Sequence, residues 1–314
     1  MIWSYSAAKM FRQCQLQWFL KTKVANARAK APVRWEAYLL SKLQSLWAWR
    51  GQVVDQLLGT EIMKALYYHR PIHLDDLLRK ARTGFVVQAE FARRHRIREP
   101  GMSPTKAGEA FAAWHAIEYA EPITDADIEM AWRDVELALR NLCAMTELWD
   151  LLWGASRCIV QRPLQFESFG VKVKAIPDLI TFYADAPPLI IDWKVHTKGS
   201  YGSRSQLALY ALALARCQPH KDFPSPSPIG DPTEPRLLEV HLLTGQQRFY
   251  RLSDEDIAAV EDFIAASADE MLLAGGDHSS HDLDVAHFAI ARSPEVCQRC
   301  AFRKLCWEIP HNGA

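Results

Sequence analysis

The sequence predicts an α/β fold with one mixed central sheet flanked by helices, and three observations carry that prediction. Residues 1–155 place apolar side chains at three- and four-residue spacings, as in Leu39, Leu40, Leu43, Leu46 and Trp47, and hold no strong strand. From Arg157 the texture changes to short β-rich runs, including the period-two alternation Val171-Lys172-Val173-Lys174-Ala175-Ile176. The order helices, sheet, helix, two strands, helix then implies one sheet covered by helical layers.

Taken in order, Cys158-Ile159-Val160 and Leu164-Gln165-Phe166 open the strand-rich half. The runs 171–176 and 179–183 continue it, and together these read as antiparallel strands joined near Gly170. Leu189-Ile190-Ile191 is a short apolar strand after Pro187-Pro188, and Ser205 to Ala215 is a helix rich in Leu and Ala. Residues 218–235 contain six prolines and form a long loop. Residues 237–243 and 247–252, separated by Thr244-Gly245, make a hairpin. Ser253 then caps a helix with Ile257, Val260, Phe263 and Ile264 on its apolar side.

A chain of 314 residues with 49% apolar and 24% charged residues can bury a sizeable core in one large domain or two modest ones, which excludes a disordered or collagen-like polymer. Basic and acidic residues both number 37, so there is no global basic field and any nucleic-acid contact must be local. No apolar run approaches the roughly 18 residues of a membrane span. Arg12, Gln13, Gln15 and Gln17 interrupt the stretch where a signal peptide would be continuous, so the expected compartment is the reducing cytoplasm. Seven cysteines are too few for a disulfide scaffold of this length, and clustered ones point to metal.

The most informative stretch is Ile176-Pro177-Asp178 followed by Asp192-Trp193-Lys194. Asp178 opens one strand and Asp192 closes the 189–191 strand, so both can project at one end of adjacent strands, and residues 192 and 194 share a face. Two carboxylates and an ammonium suit a hard divalent cation and phosphate oxygens, hence phosphodiester hydrolysis; the plain alternative is a polar strand end. Gln206 and Tyr210, four apart on the next helix, share one face, with Gly202, Ser203 and Arg204 leading into it.

This order, Pro-Asp, Asp-x-Lys and Gln-x-x-x-Tyr, resembles the PD-(D/E)XK nuclease superfamily in its RecB-like branch. The resemblance implies a restriction-endonuclease-like core in which Asp178 and Asp192 hold Mg²⁺ or Mn²⁺, with the Trp193 carbonyl as a further ligand. It also implies that Lys194 serves the attacking water, while Gln206 and Tyr210 contact DNA or brace the site. The family's first motif is a Gly followed four residues later by a metal-binding His. Arg50-Gly51-Gln52-Val53-Val54-Asp55 has the Gly and the apolar pair but places Asp55 at the His position. A carboxylate there suits Mg²⁺ or Mn²⁺, and a solvated residue of an amphipathic helix is the alternative.

Near the C-terminal end stand Cys297, Cys300 and Cys306, with gaps of two and five residues that suit zinc or an iron–sulfur centre. His311 is the one downstream His, a poor fourth ligand. The segment from Ser4 to Leu20, with Ser-x-Ser, Phe11, Cys14 and the pair Trp18-Phe19, resembles the opening of iron–sulfur RecB-like nucleases, which include the CRISPR adaptation exonucleases and AddB-type nuclease domains. Gln15 stands where that family carries Pro. The resemblance implies that Cys14, Cys297, Cys300 and Cys306 ligate a [4Fe–4S] cluster, a staple closing a loop of about 280 residues. A Cys₄ zinc site is the competing reading. Cys143, Cys158 and Cys217 read as ordinary buried cysteines.

Arg93-Arg94-His95-Arg96-Ile97-Arg98 could track a phosphate backbone or form a solvated helix face. Trp47, Trp49, Trp114 and Trp132 could stack on unpaired bases, although core packing is the usual role of such residues. His278, His281 and His287 with Asp277, Asp282 and Asp284 read as a polar loop rather than a second metal site.

The expected organisation is a helical region at 1–155, a nuclease core at 156–275 and a C-terminal cysteine segment at 276–314 that packs back on the N-terminus. The expected function is a metal-dependent DNA nuclease acting on single strands or duplex ends, often exonucleolytic, in CRISPR spacer acquisition, repair or defence, with a helicase or defence protein as partner and no membrane contact. The alternative is a non-catalytic module that binds DNA or a partner protein.

Overall fold

The computed structural model describes residues 1–99, 103–196, 202–224, 230–275 and 285–308. Helices begin the chain, and their ends explain where they start. Ser4 Oγ accepts the Ala7 N–H at the head of α1 (Tyr5–Gln13), and Cys14 Sγ accepts the Gln17 N–H at the head of α2 (Gln15–Phe19). Pro32 opens α3 (Pro32–Leu40), and Ser45 caps α4 (Leu46–Leu57). The apolar stripe Leu39 to Trp47 is therefore split between two helices. A π-turn at Leu58–Ile62 carries α4 into α5 (Met63–Tyr67). Next come α6 (Leu74–Arg94), α7 (Pro104–Ala107), α8 (His115–Glu118), α9 (Asp125–Ala144) and α10 (Thr146–Trp153). A reciprocal Thr124–Asp127 capping box holds the start of α9.

The structure has two sheets where the sequence suggested one. The larger runs β2 (Arg157–Val160), β5 (Leu179–Phe182), β6 (Leu189–Lys194), β7 (Arg236–His241), β8 (Gln246–Tyr250) in spatial order, antiparallel except for the parallel β6–β7 pair. That parallel pair requires a crossover, which is α11 (Ser203–Arg216). The smaller sheet is a hairpin of β3 (Leu164–Ser168) and β4 (Val171–Ala175), turned at Phe169-Gly170 with both residues at positive φ.

Its third strand is β1 (Ile2–Trp3), which lies parallel to β4 with Ile2 opposite Lys172 and Trp3 opposite Val173. Two residues are too few to register as a strand pattern. The pairing depends on Trp3, which is fully buried and donates from its indole N–H to Ser267 Oγ at 2.9 Å. Ser267 lies on α12 (Asp254–Gly275); α13 (Pro294–Gln298) and α14 (Arg303–Glu308) follow.

Alternation along β6 assigns each face of the large sheet to a different core. Leu189, Ile191 and Trp193 pack with Trp49, Phe85 and Leu139 of the helices α4, α6 and α9. Ile190 faces the other way, into a core shared with Leu207, Ile264 and Trp3. Both faces are covered, which explains the continuous apolar run before Asp192. No helix among the described residues is long and apolar enough to cross a membrane.

One buried charge ties the crossover helix to the sheet. Glu239 on β7 is 0% exposed and sits beside Asp192 in the parallel register. Ser203, in the first turn of α11, donates to its Oε1, the Tyr250 hydroxyl donates to its Oε2 at 2.8 Å, and His241 Nε2 lies 3.2 Å from Oε2. Burial works to raise the Glu239 carboxyl, but the hydrogen bonds from Ser203 and Tyr250 and the adjacent His241 outweigh it and hold the group below its ordinary value.

Two glycines in long helices should respond oppositely to the same substitution. A Cβ at Gly275 would sit 2.7 Å from the buried Trp18 ring, so Gly275→Ala should destabilise by about 1–3 kcal/mol. Gly84 in α6 faces open space, and Gly84→Ala should stabilise by roughly 0.5–1 kcal/mol. Urea midpoints of the two variants would check this, and shifts of the same sign would contradict the packing described.

Candidate active site

The end of β6 gathers the charged groups because its neighbour starts late. β5 pairs with β6 no further than Leu179 opposite Ile191, so beyond Ile191 that edge of β6 has no strand partner. Asp178, immediately before β5, fills the gap, and its Oδ2 accepts the Trp193 N–H at 2.8 Å. Because N–H and C=O of one strand residue face the same neighbour, the Trp193 carbonyl turns toward this open end as well. Asp192 and Lys194 point to the α11 side. Asp192, 2% exposed, forms an ion pair with the Lys194 ammonium.

Three carboxylates therefore meet one ammonium. Burial, then the charge of Asp192 and that of Asp55, push Asp178 up to about 7, against the lowering effect of the Trp193 N–H. Asp55, brought in by α4, is pushed up to about 6, again by burial and then by Asp192. Asp192 is itself raised by burial, and Lys194 only partly offsets this.

On the helix side, Lys194 Nζ donates to Gln206 Oε1 at 3.4 Å, and Gln206 Nε2 donates to the Tyr210 hydroxyl at 2.6 Å. Tyr210 is buried, and desolvation together with Asp192 and Asp178 drives its phenol up, so it stays protonated. Asp55, Asp178, Asp192, Trp193, Lys194, Gln206 and Tyr210 thus form one electrostatic and hydrogen-bonded neighbourhood.

No group of three or more His, Cys, Asp or Glu side chains among the described residues is arranged to hold a metal ion as it stands. The donor chemistry still fits a hard cation. Asp192 Oδ2 is buried with the Lys194 ion pair but no hydrogen bond, and the acids raise one another's pKa as uncompensated negative charges do. Oxygen donors are what Mg²⁺ and Mn²⁺ take.

Sequence reasoning missed the groups that hold this neighbourhood. Arg50, buried on α4, donates to the Val195 carbonyl at 3.1 Å, just beyond Lys194, and pairs with Asp134 on α9. Glu239 lies one strand away from Asp192, and the His196 ring lies 6.3 Å from that of His241. A lone Glu inside the apolar run Leu237-Leu238-Glu239-Val240 was the one available signal, since a buried carboxylate needs partners.

The second cysteine set is also drawn together. Cys14, Cys297, Cys300 and Cys306 are all half-buried, and none is in a disulfide. Burial, then the neighbouring Cys14, Cys306 and Cys297, push Cys300 up to about 12, and Cys306 rises through burial and then Cys14 and Cys297. The Gln17 and Phe302 N–H groups donate to the sulfurs of Cys14 and Cys300, each at 3.4 Å, as amides do at metal thiolates. The chain ends meet here: Leu16 N–H bonds the Ala289 carbonyl at 3.3 Å, and the Tyr119 hydroxyl bonds that of Ala301 at 2.6 Å. Cys217 is buried, and Cys143 and Cys158 are half-buried.

The basic run near residue 95 is largely neutralised, with Arg93 on Asp125, Arg94 on Glu90, His95 near Glu99 and Arg98 on Glu36. Of the four tryptophans considered for stacking, Trp49, Trp114 and Trp132 are core residues, and Trp47 is 47% exposed. The His278, His281, Asp277, Asp282 and Asp284 group lies outside the described residues, as do His311 and positions 225–229 of the proline-rich loop.

The solved structures that resemble the chain include the protein SSO0001, at 16% identity and TM-score 0.28 over 59% of this chain and 77% of that one, and a candidate exonuclease from Eubacterium rectale, at 11% identity and TM-score 0.32 over 78% of this chain and 85% of that one. At these scores neither carries an argument. No curated protein is a significant match. The family model described as the PD-(D/E)XK nuclease superfamily matches residues 2–307, nearly the whole length, and the chain belongs to that superfamily.

Proposed function

We propose that the chain is a metal-dependent DNA nuclease that hydrolyses phosphodiester bonds at single strands or duplex ends. The convergence of Asp55, Asp178, Asp192 and Lys194 at the open end of β6 is the observation that carries this reading. A Mg²⁺ or Mn²⁺ ion held by these three carboxylates and the Trp193 carbonyl would lower the pKa of water and neutralise developing phosphate charge. Lys194, steadied between Asp192 and Gln206, orients the attacking water and the phosphate oxygen. Gln206 is itself fixed by Tyr210, whose protonated phenol adds no charge to an already negative pocket. Asp55 at the His position is the observation that favours the second reading, a non-catalytic module that binds DNA or a partner.

Cys14, Cys297, Cys300 and Cys306 fit a [4Fe–4S] cluster by donor type and neighbourhood, as a staple between the chain ends. Its role would be structural, because clipping a loop of about 280 residues removes much of the entropy of the unfolded chain. The division into a helical region at 1–155, a nuclease core at 156–275 and a cysteine segment at 276–314 belongs to this same reading.

Labelled single- and double-stranded DNA incubated with Mn²⁺ should be cut by the protein and left intact by Lys194→Ala or Asp192→Asn. Cleavage by neither the protein nor the variants would favour the binding module, and equal cleavage by all would place the chemistry elsewhere.

The raised carboxylates also make a stability prediction. Asp178 at about 7 and Asp55 at about 6, against an ordinary 3.8, bind protons more tightly in the folded chain. Their stabilisation is complete below pH 3.8 and is lost as pH rises through 6 to 7. Metal-free protein should therefore melt lower at pH 8 than at pH 5, Asp178→Asn should flatten that slope, and Mg²⁺ should raise the melting temperature more at pH 8. An identical slope in Asp178→Asn would contradict the assignment.

Anaerobically purified protein should be coloured and carry about four irons per chain, and Cys300→Ser should lose them. One zinc and no iron would replace the cluster with a Cys₄ zinc site.

A further inference from the structure

One aromatic side chain beside the site is not part of any core. Trp47 lies two turns before Asp55 on α4, and Trp47, Gly51 and Asp55 follow one i, i+4, i+8 ridge, about 12 Å from end to end. Between the two side chains the ridge is bare. Apart from the adjacent helix backbone, no heavy atom lies within 4 Å of where a Cβ on Gly51 would be, so no side chain covers the helix at the position between the indole and Asp55.

The indole is held in place at one end of that ridge. The Arg50 guanidinium lies over the Trp47 ring, 4.8 Å from its centroid, leaving 47% of the residue exposed. Arg50 cannot drift, because it is buried, paired with Asp134 and bonded to the Val195 carbonyl at 3.1 Å. The fixed cation holds a half-exposed, flat indole, and it is itself anchored one residue beyond Lys194. An exposed tryptophan held this way is poorly explained by packing. It is well matched to a nucleobase, because every base has a π-face and stacking needs no sequence readout.

We propose that Trp47 is a stacking platform for an unpaired nucleobase of the substrate strand, and that the bare strip over Gly51 carries that strand's backbone to the carboxylates. The inference rests on the nuclease reading and assigns the substrate class: a strand with at least one unstacked base next to the cleaved phosphate. Paired bases in a duplex are stacked on their neighbours and cannot present a free face to the indole, so a frayed or single-stranded end is favoured. Trp47 is a positioning residue in this scheme, and Gly51 is required for its lack of a side chain.

Binding separates the platform from the chemistry. In the Lys194→Ala background, a fluorescein-labelled oligothymidylate should bind about 5- to 150-fold more weakly after Trp47→Ala, with Trp47→Phe recovering most of the loss. Gly51→Leu should weaken binding as well while leaving the melting temperature unchanged or higher, since the added side chain enters open space on a helix. A merely structural role for Gly51 would lower both together. In otherwise unsubstituted protein, Trp47→Ala should raise KM for a single-stranded substrate more than it lowers kcat. Equal affinity of the Trp47→Ala, Gly51→Leu and parent proteins would overturn the platform while leaving the nuclease reading intact. Failure of the Lys194→Ala parent to bind oligothymidylate at all would overturn the platform, whereas the nuclease reading stands or falls on the cleavage of labelled DNA.

Discussion

Desolvated negative charge at the end of one strand is the constraint around which the rest of the chain is arranged. β6 is apolar on both faces for most of its length, so Asp192 emerges into an environment already stripped of water. Burying one carboxylate is costly, and placing Asp178 and Asp55 beside it compounds the cost. The chain answers with fixed donors rather than with a second cation: the Trp193 N–H for Asp178 and the Lys194 ammonium for Asp192. Each donor is in turn held by a neighbour. Gln206 and Tyr210 brace Lys194 from α11, and the four-group network at Glu239 anchors the first turn of that helix. The polar groups thus form tiers running outward from β6, each satisfying the tier inside it.

Much of this was legible from the sequence, for identifiable reasons. The site residues lie within about 35 positions on two strands and one helix, so strand alternation and the i, i+4 rule were enough to group Asp178, Asp192, Lys194, Gln206 and Tyr210. Asp55 needed a family resemblance, because nothing local in an amphipathic helix says which strand its carboxylate meets. Arg50, Asp134 and Glu239 were invisible for the same reason: their partners lie far away in sequence. The separation of the β3–β4 hairpin from the larger sheet left no local signal, because alternation shows which residues face a core and not which strands pair, and the two residues of β1 carry no periodicity.

The two apolar cores explain why the helical first half is more than an attachment. Residues from before position 155 enter both of them, on opposite faces of the large sheet: Trp49, Phe85 and Leu139 in one, Trp3, Phe11 and Phe19 in the other. α4 contributes simultaneously to a core, through Trp49 and Val53, and to the site, through Asp55. The same helix carries the exposed indole and the buried guanidinium that steadies it. A helix packed on the sheet in this way gives its solvent-facing side chains a rigid registration with the strand ends, which a surface loop would not.

The pairing of β1 with β4 has a consequence for how the polypeptide is made. Ile2 and Trp3 are made about 170 residues before the strand edge they join, at Lys172 and Val173. At about 5–20 residues per second, synthesis leaves that interval open for roughly ten to thirty seconds. During this time the Trp3 indole, destined to be fully enclosed, has neither its β4 neighbour nor Ser267 to receive its proton. Trp3 therefore cannot reach its final place until the residues of β4 and α12 have been made, and until then the nascent protein carries an unmatched aromatic strand. Vectorial synthesis and the order of native contacts run in opposite directions here, which makes this short strand a late latch on the finished molecule rather than a seed for its folding.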